Sequence, residues 1–240
     1  MEVGRIPGFA GKPPGHTQRL ALCSSWNNVG PLKGNRMAIT CPLDLDTIRL
    51  RQEIRAIYAR VATEPSGEFH FHRGPGYAAE RLGYDATALA ALPSETTASF
   101  AGVANPLRIA PLTAGATVVD IGCGAGMDLM LAAGAVGSGG RAIGIDMTEA
   151  MAERARASAR AFGFTHVEVR AGDALDVPVD SESVDFVITN GVLNLTPDKR
   201  QAFGEVFRIL KPGGQFLYGD IIVANELSES VRRDIDLWTG

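Results

Sequence analysis

The chain has 240 residues and a formal net charge of −4; 45% of its residues are apolar and 21% are charged. These proportions are typical of globular proteins and exclude a wholly disordered chain, and no apolar run approaches the roughly 18 residues of a membrane-spanning helix. The mildly acidic charge also argues against nucleic acid as a partner bound through bulk positive charge.

The cysteines of the chain are Cys23, Cys41 and Cys123, which lie far apart in the sequence. Three cysteines cannot form a disulfide framework, and their spacing contains no CxxC pair of the kind that indicates a zinc site. The expected compartment is therefore a reducing cytoplasm, and the expected partner is a small molecule rather than a nucleic acid or a membrane.

Residues 1–43 are expected to be a disordered tail or a wrongly assigned start. They carry five basic residues and one acidic residue, and residues 1–36 are rich in glycine and proline without an apolar period. Such a segment buries too little apolar surface to offset its chain entropy, and it lacks the apolar stretch of a secretory signal. In the second interpretation the natural start is Met37.

Residues 44–110 are predicted to form a helical cap ahead of a core domain. Apolar residues from Leu50 to Val61 recur at helical spacing, and the run 64–67 contains the proline and glycine that end the helix. Two shorter helices are predicted over Gly76–Leu82 and Ala86–Leu92, the second of which is stopped by a proline.

Residues 111–240 alternate between short apolar strands and helices, which predicts an α/β fold with a doubly wound, mostly parallel sheet. The strands are apolar throughout, as expected when helices cover both faces of the sheet. Thr148 and Thr196 are predicted to cap helices. The predicted strands are Thr117–Ile121, Ala142–Asp146, Val167–Arg170, Val184–Thr189 and Gln215–Val223; the predicted helices are Met127–Val136, Glu149–Phe162 and Pro197–Leu210.

A glycine-rich turn follows the first of these strands, in the run Val118–Gly126. Glycines let the backbone turn tightly and approach a ligand closely, and the helix that follows offers free amides at its N-terminus. Asp146 ends the second strand, where a carboxylate can accept both ribose hydroxyls of a nucleotide. Asp173 follows the third strand, where it can meet an adenine amino group.

Two ligands compete for such a site, a dinucleotide and S-adenosylmethionine. The dinucleotide pattern G-x-G-x-x-G needs a glycine where this chain has Met127. Asp120, two residues before Gly122, would repel a pyrophosphate but would attract the ammonium and sulfonium groups of S-adenosylmethionine. The joint pattern of three acidic residues at neighbouring strand ends therefore favours the methyl donor.

The sequence resembles the class I S-adenosylmethionine-dependent methyltransferases, and within them the arsenite methyltransferase family, over about residues 48–240. The matching stretches are Gly102–Pro106, Val119–Asp128, Gly144–Met151, Thr189–Lys199 and Arg208–Gly214. The resemblance implies a Rossmann-like fold and these site residues: Gly122, Gly124 and Gly126 in the cofactor loop, Asp146 on the ribose, Met147 over the adenine, Asp173 and Ala174 at its edge, and Asn190 near the transferring methyl group. Tyr58 has two interpretations: it reaches the donor's carboxylate, as the resemblance implies, or it is a core residue on the apolar face of the Leu50–Val61 helix.

The same resemblance implies arsenite as the methyl acceptor, but the chain differs from the family at the cysteine positions that would bind this acceptor. The family usually places a cysteine directly after the Asn of the fourth strand, where this chain has Gly191, and a further cysteine is expected after a segment resembling residues 236–240. Arsenite is a soft, thiol-seeking species, so these residues matter. The alternatives are a small organic acceptor such as a quinone precursor, or a non-catalytic cofactor-binding remnant.

The class completes its sheet with two further strands after the fifth, which this sequence lacks. We therefore expect a truncated copy of a longer enzyme, whose open last strand (215–223) invites self-association.

Two histidines, His70 and His72, lie at a spacing that could share one face of a strand and bind a metal. No carboxylate or thiol cluster accompanies them, so no metal site is predicted, and the segment 68–74 is interpreted with Tyr77 as part of a lid over the cofactor. An oxygen or carbon acceptor would need a general base, for which His70, His72 and Asp128 are the candidates.

Overall fold

The computed structural model describes residues 46–221, which form a five-stranded sheet with helices on both of its faces. The strands are β1 Thr117–Ile121, β2 Arg141–Asp146, β3 Val167–Ala171, β4 Val184–Asn190 and β5 Leu210–Gly219. The helices are α1 Thr47–Thr63, α2 Gly74–Leu82, α3 Ala86–Ala90, α4 Ser94–Ala98, α5 Met127–Val136, α6 Glu149–Phe162 and α7 Lys199–Ile209. None of these helices is long and apolar enough to cross a bilayer.

All neighbouring strands are parallel, in the spatial order β3-β2-β1-β4-β5. The order reverses its direction between β1 and β4, so a crevice opens at the carboxyl ends of these two strands. Successive side chains of a strand point to opposite faces. Val118 accordingly packs with α5 on one face, and Val119 packs with α7 on the other. The predicted doubly wound α/β architecture is confirmed.

The predicted core elements agree closely with the structure, and the differences have local causes. Helix α7 begins at Lys199 rather than Pro197, because the side chain of Asp198, and not that of Thr196, accepts the amide of Gln201 and caps the helix. Thr148 is the N-cap residue of α6, although its hydroxyl makes no capping hydrogen bond to the helix.

The last strand differs most from its prediction. Strand β5 starts at Leu210, immediately after α7, because Leu210 already pairs with Val184 of β4. The segment 212–214 therefore lies inside the strand, with an irregularity in the register, whereas the predicted bounds left it between the helix and the strand. The predicted end of this strand at 222–223, the predicted tail at 1–43 and residues 236–240 lie outside the described residues.

The helices that precede the sheet pack over the carboxyl end of the core. Helix α1 buries Val61 against Met151 of α6 and Ala125 of the glycine-rich loop. Helix α4, which the sequence did not indicate, places the hydroxyl of Thr96 in a hydrogen bond with Ser158 of α6. These contacts fix the helices next to the crevice at the strand ends.

Candidate functional site

One cavity lies at the carboxyl ends of β1, β2 and β4 and is covered on one side by α1. Its volume is about 1070 Å³ when the open space at its mouth is included. Most of the residues that the sequence indicated line this cavity: Tyr58, Asp120, Gly122, Gly124, Asp146, Met147, Asp173, Ala174 and Asn190.

The glycine-rich loop has the backbone geometry that only glycine adopts easily. Gly122 and Gly124 have φ values of +71° and +52°. The amide of Gly122 donates to the carbonyl of Ile145 (2.7 Å), which ties the loop to the end of β2. Gly126, also at positive φ, does not line the cavity; an added Cβ would lie 3.2 Å from Cβ of Ala155, so this glycine allows α6 to pack against the loop.

Gly122→Ala is expected to cost more stability than Gly124→Ala. Both substitutions place a side chain at positive φ, which costs about 1–2 kcal/mol. At Gly122 the new Cβ would also overlap the side chain of Val192, whereas at Gly124 no atom lies within 4 Å. Overpacking adds about 1–3 kcal/mol, so chemical denaturation should separate the two variants by that amount. Equal losses would contradict this description of the loop.

Asp120 is the most deeply buried of the acidic residues that line the cavity. Its side chain is 2% exposed, and its Oδ2 atom has no hydrogen-bond partner among residues 46–221. Burial, together with the negative charges of Asp128 and Asp146, raises the pKa of Asp120 well above its usual value. A buried oxygen without a donor is costly in a protein unless a ligand supplies one. The position therefore fits a ligand that carries a positive charge.

Asp146 joins the glycine-rich loop to the turn after β2. Its Oδ2 accepts the amide of Gly124 (2.8 Å) and its Oδ1 accepts the amide of Thr148 (2.8 Å). Burial raises the pKa of Asp146 to about 6, although these hydrogen bonds oppose the shift. A carboxylate oxygen can accept more than one hydrogen bond, so the fixed carboxylate retains capacity for ligand hydroxyls.

Asp173 faces the cavity next to Ala174 and is held from two sides. Its Oδ1 accepts the amide of Leu175 (2.9 Å), and its Oδ2 lies 3.2 Å from the guanidinium of Arg51 on α1. Arg51 was not indicated by the sequence, because it belongs to the polar residues of an amphipathic helix and nothing near it in the chain is part of the site. The ion pair connects α1 to the end of the cavity formed after β3.

Asn190 ends β4, and its side-chain amide is fully engaged by protein groups. Its Oδ1 accepts the amides of Val103 (2.8 Å) and Ala104 (3.0 Å), and its Nδ2 donates to the carbonyl of Ala104 (2.8 Å) and to Oδ2 of Asp128 (3.0 Å). An amide has two donor and two acceptor positions, so this arrangement uses all of them. Asn190 therefore organises the wall of the cavity and presents no free amide group to a ligand.

Tyr58 reaches the cavity from α1, as the resemblance implied. Burial and the negative charge of Asp146 raise the pKa of Tyr58 to about 12, so its hydroxyl stays protonated at neutral pH and can donate a hydrogen bond. Its ring stacks on Phe71, with 6.1 Å between the ring centroids, which holds the side chain on the side of α1 that faces the core.

The segment predicted to be a lid is not part of the lining of the cavity. Neither the segment 68–74 nor Tyr77 lines the cavity; His70 and His72 are exposed, and the ring of His72 stacks on Tyr77 at 5.2 Å. Within residues 46–221 no group of histidine, cysteine and acidic side chains could hold a metal ion. Of the three candidate bases, Asp128 is the one that lines the cavity.

The residues at the predicted acceptor side do not present a reactive thiol. Cys123 is buried in the loop, and burial raises the pKa of its thiol well above the usual value. Gly191, where the resembling family has a cysteine, adopts a φ of +70°, and an added Cβ would lie 3.3 Å from the side chain of Val103.

A parallel sheet of this order, with a glycine-rich loop and acidic residues at the ends of β1 and β2, defines a Rossmann-like protein whose ligand site lies at the carboxyl ends of the strands. A family model described as "Methyltransferase domain" matches residues 112–239. The chain therefore belongs to the methyltransferase domain family, and the family implies S-adenosylmethionine as its cofactor. The unpartnered Asp120 in the cavity fits a cationic cofactor of this kind.

Three relatives illustrate the similarity. An arsenite methyltransferase of Halobacterium salinarum is 40% identical over 161 residues, which are 67% of this chain and 41% of that protein. A demethylmenaquinone methyltransferase of Bacillus mycoides is 31% identical over 111 residues, 46% of this chain and 47% of that protein. The crystal structure of CrArsM, an arsenic(III) S-adenosylmethionine methyltransferase from Chlamydomonas reinhardtii, has a TM-score of 0.51 and 33% identity, and covers 59% of this chain and 50% of that one. The chain thus spans about two fifths to half of the length of these relatives.

Proposed function

We propose that the chain transfers a methyl group from S-adenosylmethionine to a small acceptor. The observation that carries this proposal is the buried, unpartnered Oδ2 of Asp120 in a cavity that also contains Asp146 and Asp173. A cation near this oxygen would satisfy it, and the donor carries both an ammonium and a sulfonium group. A dinucleotide would instead bring a pyrophosphate, which the same carboxylate would repel.

The residues around the cavity divide into those that hold the cofactor and those that shape its wall. We assign the ammonium end to Asp120, the ribose to Asp146, and the adenine to Met147, Asp173 and Ala174. We assign the hydroxyl of Tyr58 as a hydrogen-bond donor to the carboxylate of S-adenosylmethionine. Gly122 and Gly124 give the loop its close approach, and Gly126 supports the loop from the α6 side.

S-adenosylmethionine supplies an activated methyl group when bound, so the protein's contribution is to align the reactants and to exclude water. Helix α1, with Ile54 and Tyr58, closes one side of the cavity for this purpose. A soft nucleophile needs no protein base. For an oxygen or carbon acceptor a base is required, and Asp128 is then the candidate that lines the cavity.

Arsenite is the acceptor that the relatives support, since both the Halobacterium protein and CrArsM are described as enzymes of arsenite or arsenic(III). Its thiol ligands would then come from outside residues 46–221, or arsenite would arrive as a complex with a small thiol. The second candidate is a small organic acceptor, which is favoured by Gly191 at the usual cysteine position and by the similarity to a demethylmenaquinone methyltransferase.

Formation of S-adenosylhomocysteine, measured with arsenite plus glutathione and with a quinone precursor in parallel, distinguishes these functions. We expect turnover that depends on arsenite and that survives in Cys123→Ser, because the thiol of Cys123 is buried and its pKa is raised by burial. Turnover with the quinone precursor alone would establish the second candidate. Cofactor binding without turnover on any acceptor would identify a binding remnant, and absence of cofactor binding would refute the proposal.

A further inference from the structure

A polar cluster, here called the Tyr84 cluster, adjoins the cavity and consists of Tyr84, Asp128 and Asn190, of which Asp128 and Asn190 line the cavity. The hydroxyl of Tyr84 donates to Oδ1 of Asp128 (2.7 Å), and Nδ2 of Asn190 donates to Oδ2 of the same carboxylate (3.0 Å). Asp128 and Tyr84 are 6% exposed. Each carboxylate oxygen of Asp128 thus has its own donor, in contrast to the neighbouring Asp120.

The cluster joins three segments that are far apart in the sequence. Tyr84 lies between α2 and α3, Asp128 is in the first turn of α5, and Asn190 ends β4. Through Asn190 the cluster also holds the backbone of 103–104, which directly follows the cavity residue Gly102. The ring of Tyr84 packs edge-on against Phe100, a cavity residue, with 5.4 Å between their centroids.

We propose that Tyr84 is a positioning residue for cofactor binding, which orients Asp128 and Asn190 beside Asp120 at the cationic end of the cofactor. This inference rests on the proposed function, because it takes S-adenosylmethionine as the ligand. Tyr84 does not itself line the cavity and acts through its partners.

The physical basis is that Asp128 and Asp120 are neighbouring carboxyl groups with different hydrogen-bond donors, so they differ in how readily they ionise. Burial raises the pKa of Asp128 to about 6, and the hydrogen bonds from Asn190 and Tyr84 oppose a larger shift. Asp120 has no such side-chain donors, and the charges of Asp128 and Asp146 raise its pKa in addition to burial. Burial also raises the pKa of Tyr84, so its hydroxyl remains a donor. The Tyr84 cluster thus keeps Asp128 charged, and the cation of the ligand favours the charged form of both carboxylates.

The Tyr84→Phe variant of the full 240-residue chain tests this role, because it keeps the ring and removes only the hydroxyl. A hydrogen bond to a charged group contributes about 1.5–3 kcal/mol, so its loss should raise the pKa of Asp128 by about one unit or more. We expect the affinity for S-adenosylmethionine, measured by calorimetry, to fall about tenfold or more at pH 5.5 and to approach the wild-type value as the pH rises above the shifted pKa of Asp128. A hydroxyl that only stabilised the fold would weaken binding equally at every pH.

Asp128→Asn should shift the pH dependence of the affinity for S-adenosylmethionine in the direction opposite to that of Tyr84→Phe. Without the charge of Asp128, the pKa of Asp120 falls, so the midpoint of the affinity profile should move to lower pH. In the Asp128→Asn background, Tyr84→Phe should no longer change the profile, since the carboxylate on which the hydroxyl acts is absent. Tyr77→Phe, at a half-buried tyrosine outside the cavity, is the matched control and should follow the wild type.

The outcomes separate the inference from the proposed function. If the wild type does not bind S-adenosylmethionine at any pH, the proposed function fails. If the wild type binds and Tyr84→Phe follows its profile throughout the range, or weakens binding by one constant factor, the positioning role is refuted. Should Tyr84→Phe not fold, an unshifted profile in Asp128→Asn refutes the role in the same way.

Discussion

Asp120→Asn is expected to lose on the order of 100-fold or more in affinity for S-adenosylmethionine while making the ligand-free protein more stable. The loss follows because removing one member of a buried charge pair typically costs about 3–5 kcal/mol. The gain follows because the carboxyl of Asp120 is buried with one oxygen unpartnered. The melting temperature should rise by several degrees, since about 1 kcal/mol shifts it by about 2–4 °C in a protein of this size.

The stability gain of Asp120→Asn should depend on pH, and the direction of that dependence follows from the pKa of Asp120. The pKa of Asp120 is raised in the folded protein, so the folded state binds a proton more tightly than the unfolded state does. The stability that this provides is complete below the unfolded pKa of about 3.9 and is lost as the pH rises towards the folded pKa. The advantage of Asp120→Asn in thermal melts should therefore be present at neutral pH and shrink towards pH 4.

The control for this variant is Asp180→Asn, which removes an exposed carboxylate outside the cavity. It should change neither the melting temperature nor the affinity appreciably, because substitutions at exposed positions usually stay within about 0.5 kcal/mol. A wild-type affinity in Asp120→Asn would refute the assignment of this carboxylate to the cationic end of the ligand.

Asp146→Ala is expected to lose on the order of 100-fold or more in affinity, for a different reason. The carboxylate of Asp146 is assigned to the ribose, and hydrogen bonds to charged groups contribute about 1.5–3 kcal/mol each. The substitution also leaves the amides of Gly124 and Thr148 without their acceptor, so both should exchange faster with deuterium in the ligand-free variant. Calorimetry and hydrogen exchange measure the two effects separately.

Asp176→Ala serves as the control for Asp146→Ala, since Asp176 is exposed and does not line the cavity. Unchanged calorimetric affinity in Asp146→Ala would be incompatible with the assignment of Asp146 to the ribose.

Burial raises the pKa of Asp146 to about 6, so the affinity of the wild type for S-adenosylmethionine should also improve as the pH rises through that value. The contribution of Asp146 to this pH dependence should be missing in Asp146→Ala.

The two acidic residues thus occupy different electrostatic situations within one cavity. Asp146 is held by two backbone amides and stabilises the loop, whereas Asp120 keeps an oxygen without a donor. A protein that retains such an oxygen next to two further carboxylates is less stable without its ligand than it could be. Ligand binding should therefore raise the melting temperature, in proportion to the free energy of binding.

Gly191, at the position where the resembling family has a cysteine, adopts a backbone conformation that favours glycine. Gly191 has a φ of +70° and packs against Val103, so a cysteine at this position would meet both backbone strain and a close contact. The departure from the resembling family is therefore built into the local backbone of the chain.

The sequence by itself determined the sheet, the helices around it and the position of the ligand cavity. Alternating apolar strands and helices are local patterns, and the bounds of β1, α5 and α6 were predicted correctly for this reason. The carboxyl ends of parallel strands share one edge, so acidic residues at consecutive strand ends had to meet. Asp120 and Asp146 accordingly line the same cavity.

Only the tertiary structure decided which side chains act together across long separations. Tyr84 and Asn190 are 44 and 62 residues away from Asp128 in the sequence, and both donate hydrogen bonds to its carboxylate, which no local pattern encodes. Arg51 reaches Asp173 because α1 packs over the core, while the histidine segment, despite its conspicuous sequence, does not line the cavity. The physical reason is that strands, helices and turns depend on residues that are close in sequence. Side-chain partners depend instead on how the finished elements pack against one another.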